Sequence, residues 1–401
     1  MTRQFTSYKL GSNFDPALIT KVSELNAKYK DQGVQVDEFY GSDRDHAFLA
    51  ARPDFRLPDV NQKELEQYVR ASLDAGINFN YTMNSINPGS KRELQDRQTE
   101  IKAFIRYLED IGVHRITAAN PIIFEMVRSV SSSMKLEVST IMHVDTVTQI
   151  KYLKDTFNID KVCGNLLKNR NKRFLKGAAE YCNDNDVKYE IMVNEFCGVG
   201  SEAATTHCTL RDACYTAHAS DKTKEDAKLF DTYPMKHCIW ARETDVTSWL
   251  KLRFVRPEDI YRYEDLGINN FKITGRTGTT KYITAMAEAY LSRSWEGNLL
   301  QLWKPLETIF TEKDELDFKH NIVIPNKELN KFVGKWFSGE GFRCEEELCG
   351  STCHYCHDYF DRKFSDADLE SDQAHMLGCE EEPINKPMKV IKVHNEGFRA
   401  I

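Results

Sequence analysis

Short apolar runs rich in β-branched and aromatic residues alternate along the chain with segments of helical period. Nine such runs occur: SYKLGSNF, VQVDEFYGS, INFNYTMN, VHRITAAN, KLEVSTIM, IDKVCGN, VKYEIMVNEF, LKLRFVR and NNFKITGR. Between them, segments such as 61–75 (NQKELEQYVRASLDA) and 97–112 (RQTEIKAFIRYLEDIG) repeat apolar residues at helical spacing. This alternation predicts an α/β fold with a parallel sheet, closed as a TIM-like (β/α)8 barrel. Because a barrel has eight places, one of the last two runs is expected to be an extra element.

A doubly wound open sheet is the alternative, but its G-x-G-x-x-G fingerprint is absent from the sequence. In a barrel, the active site lies at the carboxyl ends of the strands. Residues at these positions are polar: Asn13, Tyr40, Ser42, Asn80, Asn84, Asn120, Ser139, Thr140, Asn165, Asn194, Glu195, Arg256 and Arg276. Since Asn and Ser also end strands for turn reasons, we expect only part of this set to line a pocket.

The pattern changes after Trp303 and suggests four parts. We interpret residues 1–303 as the barrel, with a cysteine-bearing ligand loop at 194–240. Residues 304–338 read as a linker, 339–382 as a small four-cysteine metal-binding unit, and 383–401 as a tail.

The formal net charge of −7 is unevenly distributed. Residues 340–382 carry 13 acidic and three basic residues, whereas the body before them is neutral overall. Such a chain matches a phosphate backbone poorly, which favours a small molecule or a protein partner over nucleic acid. There is no N-terminal apolar leader and no apolar run near 18 residues, so we expect no membrane span and a cytoplasmic location.

Two groups of cysteines stand out among the eleven in the chain. The first is Cys197, Cys208, Cys214 and Cys238, spaced C-x10-C-x5-C-x23-C. The second is Cys344, Cys349, Cys353 and Cys356, spaced C-x4-C-x3-C-x2-C. Thiols stay reduced in the cytoplasm, so clustered cysteines favour metal binding or catalysis over disulfides. The first group suits a cluster anchored at its corners, and the second suits zinc or a second iron–sulfur centre.

Basic residues near predicted strand ends are candidates for binding an anion. Lys272 and Arg276 lie on one predicted strand, and the following Thr-Gly-Thr-Thr opens a helix, where backbone amides add to an anion site. Arg170, in the basic stretch 168–176, and Arg256 are further candidates. No Walker loop, H-E-x-x-H motif or Ser/His/Asp pattern is present.

The stretches YEIMVNEFC, HCTLRDAC, FVRPEDIYRYEDLGINNFKITGR and EAYLSR resemble the collagenase-like peptidase family U32, with a likeness that spans about Tyr8 to Trp303. In that family a Glu is followed four positions on by His and then by Cys. Here Glu190 matches the Glu, Asn194 stands at the His, and Cys197 falls near the Cys. The family's K-I-E-G-R motif has Thr274 in place of Glu, which indicates a divergent member.

The better understood members of the family carry a four-cysteine iron–sulfur cluster. They take part in hydroxylation without dioxygen, of the ubiquinone ring precursor or of RNA bases, with prephenate as the implied oxygen donor. The resemblance therefore implies an iron–sulfur hydroxylase or oxidoreductase acting on a small anionic molecule, with prephenate as co-substrate. Its 4Fe–4S cluster would be held by the first cysteine group, and Glu190, Glu195 and Asn194 are its candidate catalytic residues.

Three alternatives stay open from the sequence. One is a peptidase or hydrolase, as the family name suggests, and another is hydroxylation of RNA bases. The third is a non-catalytic subunit that passes electrons or scaffolds a protein partner or homologous subunit.

Overall fold

Eight parallel strands pair in sequence order and close into a barrel, as the alternating pattern predicts. The computed structural model describes residues 5–52, 57–195, 247–302, 308–310, 316–318, 324–339, 344, 347 and 351–363. The strands are β1 (Thr6–Gly11), β2 (Val34–Gly41), β3 (Asn78–Met83), β4 (Arg115–Ala118), β5 (Lys135–Val138), β6 (Lys161–Cys163), β7 (Lys188–Met192) and β8 (Asn270–Ile273). Because β8 pairs with both β7 and β1, the sheet has no free edge and forms a TIM-like barrel.

Helices follow most of the strands along the chain. They are α1 (Pro16–Tyr29), α2 (Gln62–Asp74), α3 (Lys91–Asp96), α4 (Gln98–Asp110), α5 (Pro121–Val130), α6 (Val147–Phe157), α7 (Lys172–Asp184), α8 (Ser248–Lys251), α9 (Ile260–Glu264), α10 (Thr280–Ser292), α11 (Asn330–Phe337) and α12 (Tyr355–Lys363). The side chain of Asn61 accepts from the Glu64 backbone and the Glu64 carboxylate accepts from the Asn61 backbone, a capping box that starts α2. The two amphipathic segments of the sequence thus form α2 and α4.

The run LKLRFVR is the extra element. Its first residues belong to α8, and residues 252–256 extend beside the end of β7, where the Val255 amide donates to the Val193 carbonyl at 2.9 Å. Within the described residues, its carbonyl groups accept hydrogen bonds from side chains and not from a neighbouring strand. Arg170, for example, donates to the carbonyls of Leu250 and Leu252. The eighth place in the barrel belongs to NNFKITGR, which forms β8.

Strand residues alternate between an apolar outer face and a polar inner face. The outward side chains of Tyr8, Phe39, Phe79, Ile116 and Phe271 are fully buried in the main core cluster. Alternate positions point into the barrel, so the lumen contains charged side chains, described below. The core therefore lies between sheet and helices.

Part of the predicted linker packs on the barrel. Strands β9 (Thr308–Phe310) and β10 (Leu316–Phe318) form an antiparallel pair. On α11, Phe332 and Trp336 are buried in the main core cluster, and the Trp336 ring lies 5.7 Å from Phe254. The domain boundaries remain predictions. In the described ranges, no helix is long and apolar enough to cross a membrane.

Candidate functional site

A pocket opens at the carboxyl ends of the barrel strands. Its empty volume is about 870 Å³ with the open mouth included. Seven of the thirteen polar residues predicted at strand ends line it: Tyr40, Asn84, Ser139, Thr140, Asn165, Glu195 and Arg276. Apolar side chains, among them Ile141, Leu166 and Met192, complete the lining. A concave site with a few convergent polar groups is typical of small-molecule binding.

Lys272 and Arg276 lie together on the wall that follows from β8. The Lys272 ammonium is 4.3 Å from the centroid of the Tyr40 ring, and the Arg276 guanidinium is 5.9 Å from the same ring. Arg276 also donates to the Ser42 hydroxyl at 3.0 Å. A side chain at Gly11 would place its Cβ 2.7 Å from the Arg276 amide, so this glycine permits the close approach of β1.

A cluster of ion pairs fills the barrel lumen below the pocket. Lys161 contacts Glu38 at 3.3 Å and Glu190 at 3.2 Å, and Lys9 contacts Glu190 at 2.7 Å. Lys9 also pairs with Glu137. All five side chains are at most 4% exposed.

Glu190 stays ionised in this cluster. Burial by itself would raise the pKa of Glu190, but Lys161, Lys9 and Lys272 lower it to about 2. The pKa of Glu38 is lowered in the same way. Burial opposes ionisation of this carboxyl group, but Lys161 and Arg115 hold its pKa well below the usual range. A carboxyl group with so low a pKa is a poor proton donor near neutral pH, so the catalytic role predicted for Glu190 is not favoured by its surroundings.

Glu137, Cys163 and Glu190 bring three ligand-type atoms within 4.8 Å of one another, the one such group in the described part of the chain. Their surroundings do not suit a metal ion, because Lys9 and Lys161 already neutralise the two carboxylates. Burial also raises the pKa of the Cys163 thiol to about 12, whereas a metal ligand is a thiolate. We interpret the group as part of the ion-pair cluster.

Asn194 and Glu195 follow β7 but face different surroundings. Asn194 is fully buried; it donates to the carbonyls of Thr274 and Leu302 and accepts from the Thr274 amide at 2.6 Å. It therefore joins the ends of β7 and β8 and is a positioning residue. Glu195 lines the pocket.

Arg170 and Arg256, predicted to help clamp an anion, are not among the described lining residues. Arg256 donates to Asp259 at 2.5 Å and to the carbonyl of Asn326. The Arg170 guanidinium lies 3.5 Å over the Trp336 ring. Burial lowers the pKa of Arg170 to about 10, and the Cys344 thiol is a hydrogen-bond partner. Both cations hold loops and the C-terminal residues against the barrel.

The cysteine groups are only partly covered by the structure. Cys197, Cys208, Cys214 and Cys238 lie outside the described residues, as does Cys349. Cys344 and Cys356 are buried, and Cys353 is partly exposed. Those three do not form a group with ligand atoms within 4.8 Å in the described ranges. Both metal sites therefore remain predictions.

Sequence reasoning missed several features of the site, among them a third cation of the pocket lining, Arg52. His143 lines the pocket, but it lies five residues beyond the end of β5 and carries no recognisable motif. The lumen cluster escaped notice because its members come from five different strands. Alternating charged residues within apolar strands were the available signal.

Comparisons with known proteins agree with the sequence resemblance. The sequence profile described as Peptidase family U32 matches residues 40–164. The chain is 24% identical over 343 residues to the uncharacterized protease MJ1657 of Methanocaldococcus jannaschii, which covers 84% of this chain and 91% of that relative.

Among solved structures, the U32 peptidase Mk0906 is 16% identical with a TM-score of 0.46 and covers 68% of this chain and 93% of that one. At that score the likeness adds nothing to the fold, which follows from the strand pairing. The profile match over residues 40–164 and the archaeal relative both show that the chain is similar to proteins of peptidase family U32, in agreement with the resemblance found in the sequence.

Proposed function

We propose that this protein is a barrel enzyme that binds a small anionic substrate in the mouth pocket. We propose further that it acts by iron–sulfur-dependent hydroxylation without dioxygen, and that prephenate is the first oxygen donor to test. The proposal of an anionic substrate rests on two cations at the pocket wall, Lys272 and Arg276.

Of the two cations, Lys272 gives the stronger support for a bound anion. It is 5% exposed and contacts the Tyr40 ring, and in the described part of the chain its ammonium forms no ion pair within 4.0 Å, although it is near enough to Glu190 to lower the pKa of that carboxyl group. A buried ammonium with no carboxylate in direct contact leaves room for one, and a bound carboxylate would supply that contact. The Arg276 guanidinium adds a planar donor suited to a carboxylate.

Iron–sulfur chemistry is supported by the sequence and the family. The segment that carries Cys197, Cys208, Cys214 and Cys238 begins two residues after Glu195, a pocket residue. When bound, such a cluster supplies electron transfer. Lys272 and Arg276 would hold the anion. Glu195, the one carboxylate among the described lining residues, would then be the group for proton transfer.

Hydrolysis, which the names of the relatives suggest, has less support in the described residues. It needs an activated nucleophile or an open metal site. Cys163 is fully buried, and its raised pKa disfavours the thiolate. Ser139 lines the pocket, but the ring nitrogens of His143 form no hydrogen bond with it. A peptidase centre is therefore not assembled among these side chains.

Anaerobic purification with iron, sulfide and zinc counts tests the cofactor. We expect about four iron and four sulfide per chain, lost in Cys208→Ala and kept in Cys182→Ala, a matched control at a buried thiol of α7. Metal lost in Cys353→Ala alone would assign the second cysteine group. Zinc without sulfide, together with cleavage of peptides, would contradict the hydroxylase proposal and support the hydrolase.

Titration calorimetry with prephenate tests the anion site. We expect Lys272→Met to weaken binding about tenfold or more, because it removes a charged partner of the carboxylate. Lys176→Met, at an exposed lysine of α7, should bind as the parent does. Equal affinity in the parent and Lys272→Met would contradict the assignment of the cationic wall.

A further inference from the structure

We propose that His143 is a second substrate-contacting residue, which forms a hydrogen bond with the end of the ligand opposite its anionic group. This inference rests on the proposed function, since it requires a small anion at Lys272. The inference specifies the other end of that ligand, which would carry a hydroxyl or carbonyl group on an apolar body.

The backbone at His143 indicates that its side chain is not needed for the turn. The residue ends a short 3-10 turn, Thr140–Met142, and its amide donates to the Thr140 carbonyl at 3.0 Å. Its φ of 50° lies in the left-handed region, where glycine or asparagine is the usual choice. Histidine is tolerated there at some cost.

The imidazole of His143 has unmet hydrogen-bonding capacity. Both ring nitrogens are shielded from solvent, and neither has a hydrogen-bond partner among the residues that the structure describes. His46 differs: its Nδ1 lies 2.9 Å from an Asp43 carboxylate oxygen, and its ring stacks on Phe104. Buried polar groups are nearly always paired, so an unpaired imidazole beside a pocket calls for a ligand.

The strand order separates His143 from the cationic wall. In a closed ring of eight strands, β1 lies opposite β5. Lys272 and Arg276 follow from β8, a neighbour of β1, whereas His143 follows β5. Ile141 and Leu166, from the loops after β5 and β6, are apolar lining on the side of His143.

These placements describe a pocket with two unlike ends. A carboxylate at Lys272 leaves the rest of the ligand to extend across the mouth, over apolar side chains, toward the imidazole. A neutral imidazole both donates and accepts, so either a hydroxyl or a carbonyl group satisfies it.

A pair of defined probes tests this contact. 4-(Hydroxymethyl)benzoate carries a carboxylate, an apolar ring and a distal hydroxyl, and benzoate lacks only the hydroxymethyl group. We expect the parent to bind the first about three- to tenfold more tightly, the value of one neutral hydrogen bond. His143→Gly should abolish that preference and keep the affinity for benzoate, whereas Lys272→Met should weaken both probes equally.

Thermal unfolding provides a readout that needs no ligand. Glycine adopts the left-handed backbone freely, and the substitution removes an imidazole that forms no hydrogen bond with the described residues. We therefore expect the Tm of His143→Gly to stay within about 2 °C of the parent or to rise, while His46→Ala lowers it. A fall of more than about 3 °C in His143→Gly would give the imidazole a structural role and overturn the inference.

The two proposals fail differently. If the parent shows no preference between the probes, or His143→Gly keeps it, the role of His143 is refuted. The anion site survives that result, provided that Lys272→Met still weakens benzoate. If benzoate does not bind to the parent, or binds equally to Lys272→Met, the anionic substrate is refuted, and the role of His143 falls with it.

Discussion

Removing the Lys161 ammonium should destabilise the barrel strongly, because this group joins the carboxylates of the lumen. Lys161 contacts Glu38 at 3.3 Å, Glu190 at 3.2 Å and Glu137 at 3.9 Å, and its side chain is 4% exposed. Lys161→Met keeps most of the side-chain volume and removes the charge. Loss of one partner from a buried ion pair typically costs about 3–5 kcal/mol, since the other charge stays buried without compensation.

The size of the effect agrees with the pKa of Glu190. Its pKa falls from 4.5 to about 2 in the folded protein, which is worth about 3 kcal/mol of stability near neutral pH. That contribution is present above the unfolded pKa and is lost as the pH falls toward 2. Lys161 is the first of the three lysines that lower the pKa. The stability gap between parent and Lys161→Met should therefore narrow between about pH 5 and pH 3.

Guanidinium unfolding followed by tryptophan fluorescence, at pH 7 and at lower pH, measures both effects. The matched control is Lys188→Met, because Lys188 pairs with Lys161 in register on the neighbouring strand but is exposed. We expect the control to stay within about 0.5 kcal/mol of the parent. A loss below about 1 kcal/mol in Lys161→Met, or a gap that does not change with pH, would refute the reasoning.

Two further substitutions test how the pocket wall is held in place. Asn194→Ala removes three side-chain hydrogen bonds, two with Thr274 at the end of β8 and one with Leu302, and leaves the buried Thr274 amide unpaired. The free energy of unfolding should therefore fall by about 2–4 kcal/mol in urea titrations. An unchanged value would show that water replaces the amide. Gly11→Ala forces its Cβ to within 2.7 Å of the Arg276 amide, so the free energy of unfolding should fall by about 1–3 kcal/mol and benzoate should bind more weakly. The control Gly177→Ala in α7 has 3.7 Å to its nearest neighbour and should leave the stability unchanged or raise it. Similar effects of the two substitutions would contradict the close approach of β1 to Arg276.

The position of Lys272 and Arg276 at the pocket wall could be predicted because it depends on strand order alone. Lys272 and Arg276 lie four residues apart at the end of one strand, and the barrel rule assigns that end to the active face. The same rule failed to separate Arg256 from the pocket residues. The Arg256 guanidinium forms an ion pair with Asp259, three residues further along the chain, and a local partner of this kind competes with a ligand.

The sequence by itself determined the barrel, the order of its strands and the end at which polar side chains converge. Alternation of apolar and polar positions is a local property, and each strand carries it in a few residues. Only the tertiary structure decided which charges meet. Lys9 and Glu137 are 128 residues apart and Lys161 and Glu38 are 123 apart, so nothing local pairs them. His143 is similar: whether an imidazole is satisfied depends on what surrounds it, and its surroundings come from loops that follow distant strands.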